Sequence, residues 1–182
     1  MTLVLLSTTA CQSPMVVDTK DQPKLSAIRT KFVDVVAEAN EDNDIEWVSG
    51  WAGNSAIKES EAGKMMGYCY EWQELVYDKL ADFVHAQKWD LVKININRDW
   101  FSEHHSVVVF DPQVITQEEL LVNFGPSAFV LDAWQRGAAD IYTLESWLSI
   151  PVIVFEPASF ELEPHVYWRP GGYVVTDEEE EE

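Results

Sequence analysis

The sequence predicts an α+β fold in which a helix packs on an antiparallel sheet. Three observations support this class. A stretch beginning at Cys69 repeats apolar side chains at helical spacing. Directly after it, Val92, Ile94 and Ile96 alternate with polar residues, as in a strand with one buried face. Two more apolar, strand-like runs follow further along the chain.

Composition favours one domain with a substantial core, because 47% of the 182 residues are hydrophobic and eight are tryptophans. The formal net charge of -20 argues against nucleic acid and anionic lipid surfaces as partners. We expect a leader remnant at 1–11, a linker at 12–23, a single domain at 24–172 and an acidic, disordered tail at 173–182. The alternative for the tail is recruitment of a basic partner or a metal.

The first eleven residues form a short apolar run that ends in Cys11 and is too short to span a bilayer. The run resembles the end of a bacterial lipoprotein signal peptide, although no Lys or Arg precedes it. The resemblance implies a lipid anchor at Cys11 and a place in the cell envelope. The alternative is that these residues form a buried N-terminal strand. If the leader is not a signal, we expect a cytoplasmic protein. Lipidation of Cys11 would leave Cys69 unpaired in an oxidising compartment.

The first helix is predicted from Lys24 to Ala39 and serves as scaffold. The loop-like stretch at 40–64 leads directly into the Cys69 helix, so it is a candidate wall of a substrate groove. Within it, Trp51 or Asn54 could donate a hydrogen bond to an oxyanion. The alternative is that the tryptophans of this loop only cap the core.

Cys69 falls in the first turn of its helix, on the apolar face and one turn before Trp72. The helix dipole and the unpaired N–H groups of the first turn favour a thiolate there and offer donors to an oxyanion. The alternative is that Cys69 is a small hydrophobic residue of the core, where most free cysteines lie.

The later elements are a strand opening at His104, a capped helical turn near Thr116, and a strand at 129–131 that runs into Asp132. Beyond them we expect a short helix at 143–148, a strand at 152–155 and a turn at 167–172. The chain order is therefore a helix with Cys, a strand, a strand with His and a strand with Asp.

Three motifs in this order carry a resemblance: Gly67-Tyr68-Cys69, His105-Ser106-Val107-Val108-Val109 and Val130-Leu131-Asp132-Ala133-Trp134. They resemble the papain-like cysteine peptidase superfamily, with spacing closest to its transglutaminase-like branch. The resemblance covers about a third of the chain. It implies a papain-like fold with Cys69 as nucleophile, His105 as base and Asp132 as the residue that orients the histidine.

Strand parity alone does not choose between the two adjacent histidines, since both faces of their strand are apolar. The family pattern selects His105, which makes His104 a groove residue or a support for the site. A zinc site from Cys69, His104 and His105 is the alternative, but its spacing fits no familiar site. No metal or other cofactor is expected.

Two function classes follow. The first is a cysteine hydrolase or acyl transferase acting on a peptide, a peptidoglycan stem or a protein glutamine, through a thioester. The second is a non-catalytic envelope lipoprotein that binds a peptide or protein in a groove around Trp51, Trp72 and Trp134. A third class is a toxin-like effector of the same fold. Such an effector would have to be exported beyond the cell, and the lipoprotein-like leader argues against that.

Overall fold

The computed structural model describes residues 16–41, 67–96, 103–120, 127–148, 160–163, 166–169 and 173–176. Its helices are α1 (Pro23–Glu41), α2 (Cys69–Ala86), α3 (Gln117–Leu120) and α4 (Leu144–Leu148). Its strands are β1 (Asp90–Ile96), β2 (His104–Phe110), β3 (Ala128–Asp132), β4 (Asp140–Thr143), β5 (Phe160–Glu163), β6 (Val166–Arg169) and β7 (Tyr173–Thr176). The predicted α+β class, with helices on an antiparallel sheet, is confirmed. The predicted residues outside the described ranges are Cys11, Trp51, Asn54 and the strand at 152–155.

The strands form one antiparallel sheet in the order β4-β3-β2-β1-β5-β6-β7. From β1 to β4 each strand pairs with the next one along the chain. β2 is therefore an interior strand, with β1 on one side and β3 on the other. This arrangement brings the start of β2 beside the end of β3, because the two run in opposite directions.

The two faces of the sheet carry different cores. On one face α1 and α2 pack against side chains that include Val107, Val109 and Leu131. On the other, Val108 and Val130 belong to a second cluster that includes Trp147 of α4. Helix α2 lies on the first face because its buried residues recur every three or four positions, giving it one apolar stripe.

The alternation predicted for β1 is present, but its apolar side does not face α2. Ile94 and Ile96 belong to the cluster on the far side of the sheet. The polar side faces α2, where Lys93 Nζ lies 2.7 Å from a carboxylate oxygen of Glu74 and 5.2 Å from the ring centre of Tyr77. Polar contacts therefore connect α2 to β1. One of them, between Gln73 of α2 and Asn95 of β1, is important for the site.

The domain extends beyond both predicted boundaries. On the N-terminal side, the Val17 N–H donates to Ile141 O, and Thr19 is buried, so part of the predicted linker packs on the domain. On the C-terminal side, β7 lies within the predicted disordered tail and β6 overlaps the predicted turn at 167–172. The physical reason is that Tyr, Val and Thr favour strands. No helix in the described ranges is long and apolar enough to cross a membrane.

Candidate active site

Helix α2 begins at Cys69 itself. Tyr68 precedes it in an extended conformation, with φ -66° and ψ 152°. The Glu71 carboxylate turns back and accepts hydrogen bonds from the N–H groups of Gly67, at 2.6 Å, and Tyr68, at 2.9 Å. This capping fixes the entry of the chain into the helix. The Cys69 N–H has no acceptor within the helix, since it belongs to the first turn, and the thiol lies at the positive end of the helix dipole.

His104 and Asp132 form a buried pair at the end of the sheet. His104 Nε2 lies 2.8 Å from Asp132 Oδ2, and each residue is only 1% exposed. The same Oδ2 accepts a hydrogen bond from Trp147 Nε1 at 2.8 Å, while Oδ1 accepts one from the Trp134 N–H at 3.0 Å. Both carboxylate oxygens are thus held by donors, so the position of Asp132 is fixed.

The prediction that Asp132 orients His105 is wrong, because its partner is His104. The reason lies in the register of β2 and β3, where Val108 is opposite Val130. Residues directly opposite in an antiparallel pair point to the same face, and so do residues two apart on a strand. His104 and Asp132 therefore share the face of Val108 and Val130, whereas His105 points to the other.

His105 makes a different set of contacts on the helix side of the sheet. Its Nε2 lies 2.6 Å from a Glu103 carboxylate oxygen, and its Nδ1 lies 3.3 Å from Gln73 Oε1. Tyr70 meets the ring edge-on, at 6.2 Å between ring centres. Both ring nitrogens already have partners, so His105 is poorly placed to take a proton from Cys69.

The remaining nitrogen of His104 is available to Cys69. His104 Nδ1 is buried and forms no well-aligned hydrogen bond with any described residue. Cys69 nevertheless lies near enough to act on the His104 ring as a hydrogen-bond partner and through its charge, and both effects raise the pKa of His104. Since Asp132 occupies Nε2, Nδ1 is the ring nitrogen left for an interaction with the thiol. Cys69, His104 and Asp132 therefore form a connected group.

Two tryptophans enclose the His104 ring. The centre of the Trp134 ring lies 4.8 Å from it, and that of Trp147 lies 5.3 Å away. Trp134 belongs to the core on the helix side of the sheet and Trp147 to the core on the far side. His104 can contact both because it is the first residue of β2. Water is excluded from this pair, which strengthens its electrostatic interactions.

Burial and the negative charge of Asp132 act in opposite directions on His104. Burial disfavours the imidazolium and lowers its pKa, but the charge and hydrogen bond of Asp132, assisted by Cys69, raise the pKa to about 10. For Asp132, burial raises the pKa, while the charge and hydrogen bond of His104 and the Trp147 hydrogen bond hold it below the ordinary 3.8. Between these limits the two side chains form an ion pair.

Stability should therefore fall at alkaline pH. The unfolded chain loses the His104 proton near pH 6.5, whereas the folded protein keeps it to about 10. The stabilisation is complete below 6.5 and is lost as the pH rises towards 10. We expect the free energy of unfolding in urea to decrease across this window in the wild type and to decrease less in His104→Asn. Equal pH slopes in the two proteins would contradict the ion pair.

A small cavity lies beside Cys69, His104 and Asp132. It is lined by residues of α2, of the start of β2, of the end of β3 and of the turn that follows β3, including Trp72, Gln73, Ser106, Asp132 and Trp134. The predicted groove residue Trp134 thus contacts both the cavity and His104. Cys69 is 6% exposed. Among the described residues, no group of three metal-binding side chains is arranged to hold an ion, and this includes Cys69, His104 and His105.

Sequence reasoning missed two side chains that matter here. The sequence predicts only a short helix around Trp147, although its indole N–H donates a hydrogen bond to Asp132 Oδ2. Gln73 interrupts the apolar stripe of α2 one turn after Cys69, and a polar residue at such a position is visible in the sequence as a departure from the apolar pattern. Comparisons of the chain with protein-family models, curated proteins and solved structures found no match.

Proposed function

We propose that this protein is a cysteine-dependent enzyme that cleaves an amide bond, either by hydrolysis or by acyl transfer to an amine. The observation that carries the proposal is the buried His104 imidazole, held by Asp132 at one nitrogen and close to the Cys69 side chain. A nucleophile, a base and an orienting group in this order are what thiol catalysis requires. The same arrangement supports the papain-like, transglutaminase-like fold as part of the proposal.

In the proposed reaction Cys69 is a thiolate paired with the His104 imidazolium, which keeps its proton up to a pH of about 10, and the sulfur attacks the amide carbon. The carbonyl electrons move to oxygen, where the Cys69 N–H at the start of α2 can donate a hydrogen bond. The intermediate collapses to a thioester as the C–N bond breaks, and His104 gives its proton to the leaving amine. Water or a second amine then attacks the thioester carbon, His104 takes the proton of the attacking group, and the C–S bond breaks, which restores the thiolate beside the imidazolium.

Asp132 has a distinct part in these steps. It accepts the Nε2–H of His104 at 2.8 Å, so proton exchange with the thiol takes place at Nδ1. Its charge also stabilises the imidazolium that forms when Cys69 loses its proton. The peptide, peptidoglycan stem and protein glutamine substrates, and an envelope location through a lipid on Cys11, remain predictions that accompany this proposal.

The pH dependence of Cys69 alkylation tests the proposal without a known substrate. Because His104 can hold the thiol proton, we expect iodoacetamide to label Cys69 at mildly acidic pH, well below the ~8.5 at which a free thiol ionises. A Cys11→Ser background leaves one thiol to follow by mass spectrometry. His104→Asn should move the profile to that of an ordinary thiol. Labelling of the wild type only on unfolding would overturn the proposal.

A binding function is the second candidate, because Cys69 is only 6% exposed and tryptophans surround the site. In that case Trp72 and Trp134 would line a surface for a peptide or protein, and the thiol would be a core group. The two functions differ in one measurement. A binding protein retains its biological function when Cys69 is replaced by Ala, whereas an enzyme of the proposed kind loses it.

A further inference from the structure

Gln73 is a buried amide at the interface of α2 with the sheet. It is 3% exposed. Its Nε2 lies 3.0 Å from Ile94 O, 3.0 Å from Asn95 Oδ1 and 2.5 Å from Ser106 O. Its Oε1 lies 3.3 Å from His105 Nδ1. One side chain thus connects α2 to both β1 and β2, at backbone carbonyls as well as side chains.

A second hydrogen bond continues from Gln73 across the sheet. Ser106, whose carbonyl Gln73 contacts, donates from Oγ to Leu131 O at 2.8 Å. We call Gln73, Ser106 and Leu131 the lower row. Its three residues belong to α2, β2 and β3, respectively. These are the elements that carry Cys69, His104 and Asp132.

The lower row has a fixed relation to the proposed catalytic group. Gln73 follows Cys69 by one helical turn, Ser106 follows His104 by two residues on the same strand face, and Leu131 directly precedes Asp132. Buried hydrogen bonds limit the distance that a helix can slide over a sheet more strictly than apolar contacts do. The reason is that a hydrogen bond, which has a defined direction, is lost over a short displacement.

We infer that Gln73 is a positioning residue, which through the lower row holds the first turn of α2 in register with β2 and so keeps Cys69 opposite His104. The inference rests on the proposed function for its consequence in catalysis. A helix free to shift by about 1 Å would lose on the order of 10²-fold in rate, since thiol chemistry depends on near-contact geometry.

Gln73→Met tests this role, because methionine has a similar length but cannot donate or accept these hydrogen bonds. We expect alkylation of Cys69 at mildly acidic pH to slow by about 10²-fold in Gln73→Met, with the pH profile moving towards that of an ordinary thiol. The ¹⁵N shifts of the His104 ring should change as well. Ser106→Ala breaks the next hydrogen bond with a smaller change in volume, and should move both readouts in the same direction.

Leu80→Ala is the matched control, because Leu80 is buried on the same helix and lies outside the lower row. It should destabilise the protein while leaving the pH profile and the His104 shifts unchanged. If Gln73→Met and Ser106→Ala lower stability only, as Leu80→Ala does, the inference is wrong. An ordinary thiol profile in the wild type would overturn the proposed function alone, and altered His104 shifts in Gln73→Met would still support the positioning role.

Discussion

His104→Asn is expected to lower the rate of the proposed reaction by about 10²–10⁴-fold, the usual contribution of a general base and acid. His105→Asn should retain most of the activity, because His105 is bound by Glu103 and Gln73 on the other face of the strand. The measurement is kcat/KM on an amide substrate found by screening peptides, stem peptides and glutamine-containing proteins. The two adjacent histidines are a matched pair, since they differ mainly in the face to which they point.

Asparagine is chosen at 104 because its amide can still donate to Asp132. Removing one partner of a buried ion pair completely costs about 3–5 kcal/mol, which could unfold the protein. The free energy of unfolding of each variant should therefore be measured together with its activity. If His105→Asn proved to be the inactive variant and His104→Asn the active one, the assignment of the base to His104 would be wrong.

Cys69→Ala is expected to abolish turnover while changing the free energy of unfolding by no more than about 1 kcal/mol. The replacement removes only a sulfur atom, from a side chain at the end of the helix and not in its middle. Activity should disappear because none of the other described side chains offers a thiol to His104. Activity measured together with urea unfolding separates the two effects.

Leu80→Ala, in the same helix, is expected to give the opposite result, which is a loss of stability without a loss of activity. Leu80 is fully buried, so truncation should cost about 2–5 kcal/mol, while the remaining folded protein keeps its chemistry. A Cys69→Ala protein that complements a deletion strain as well as the wild type does would favour the binding function. A large loss of stability in Cys69→Ala with no change in activity would identify Cys69 as a core residue.

The fold class and most element positions could be predicted because they depend on local patterns. Cys69 at the start of a helix and the apolar run from His104 to Phe110 are both visible as periodicity. The strands β4 to β7 are not predicted, since each has only four residues, too few for alternation to be recognised. The face of β1 that meets α2 depends on tertiary packing, and here polar contacts of Lys93 and Asn95 occupy it.

The chemical types of the site could also be predicted, but not which histidine serves it. That choice depends on the register between β2 and β3, and a shift of one residue would exchange His104 for His105. Nothing in the local sequence determines this register, because both faces of β2 are apolar. Trp147 reaches Asp132 only because α4 follows β4, which pairs with β3, and this is a long-range relation.

The order of the strands affects the stage of folding at which Cys69, His104 and Asp132 can come together. The segment from α2 to β3 is continuous in the chain, and each of its strand pairs joins neighbours in sequence. Loop closure between such neighbours carries a small entropy loss, so contacts of this kind can form early. The pairing of β1 with β5 joins strands far apart in the chain. Cys69, His104 and Asp132 can therefore come together before the β5–β7 half of the sheet is added.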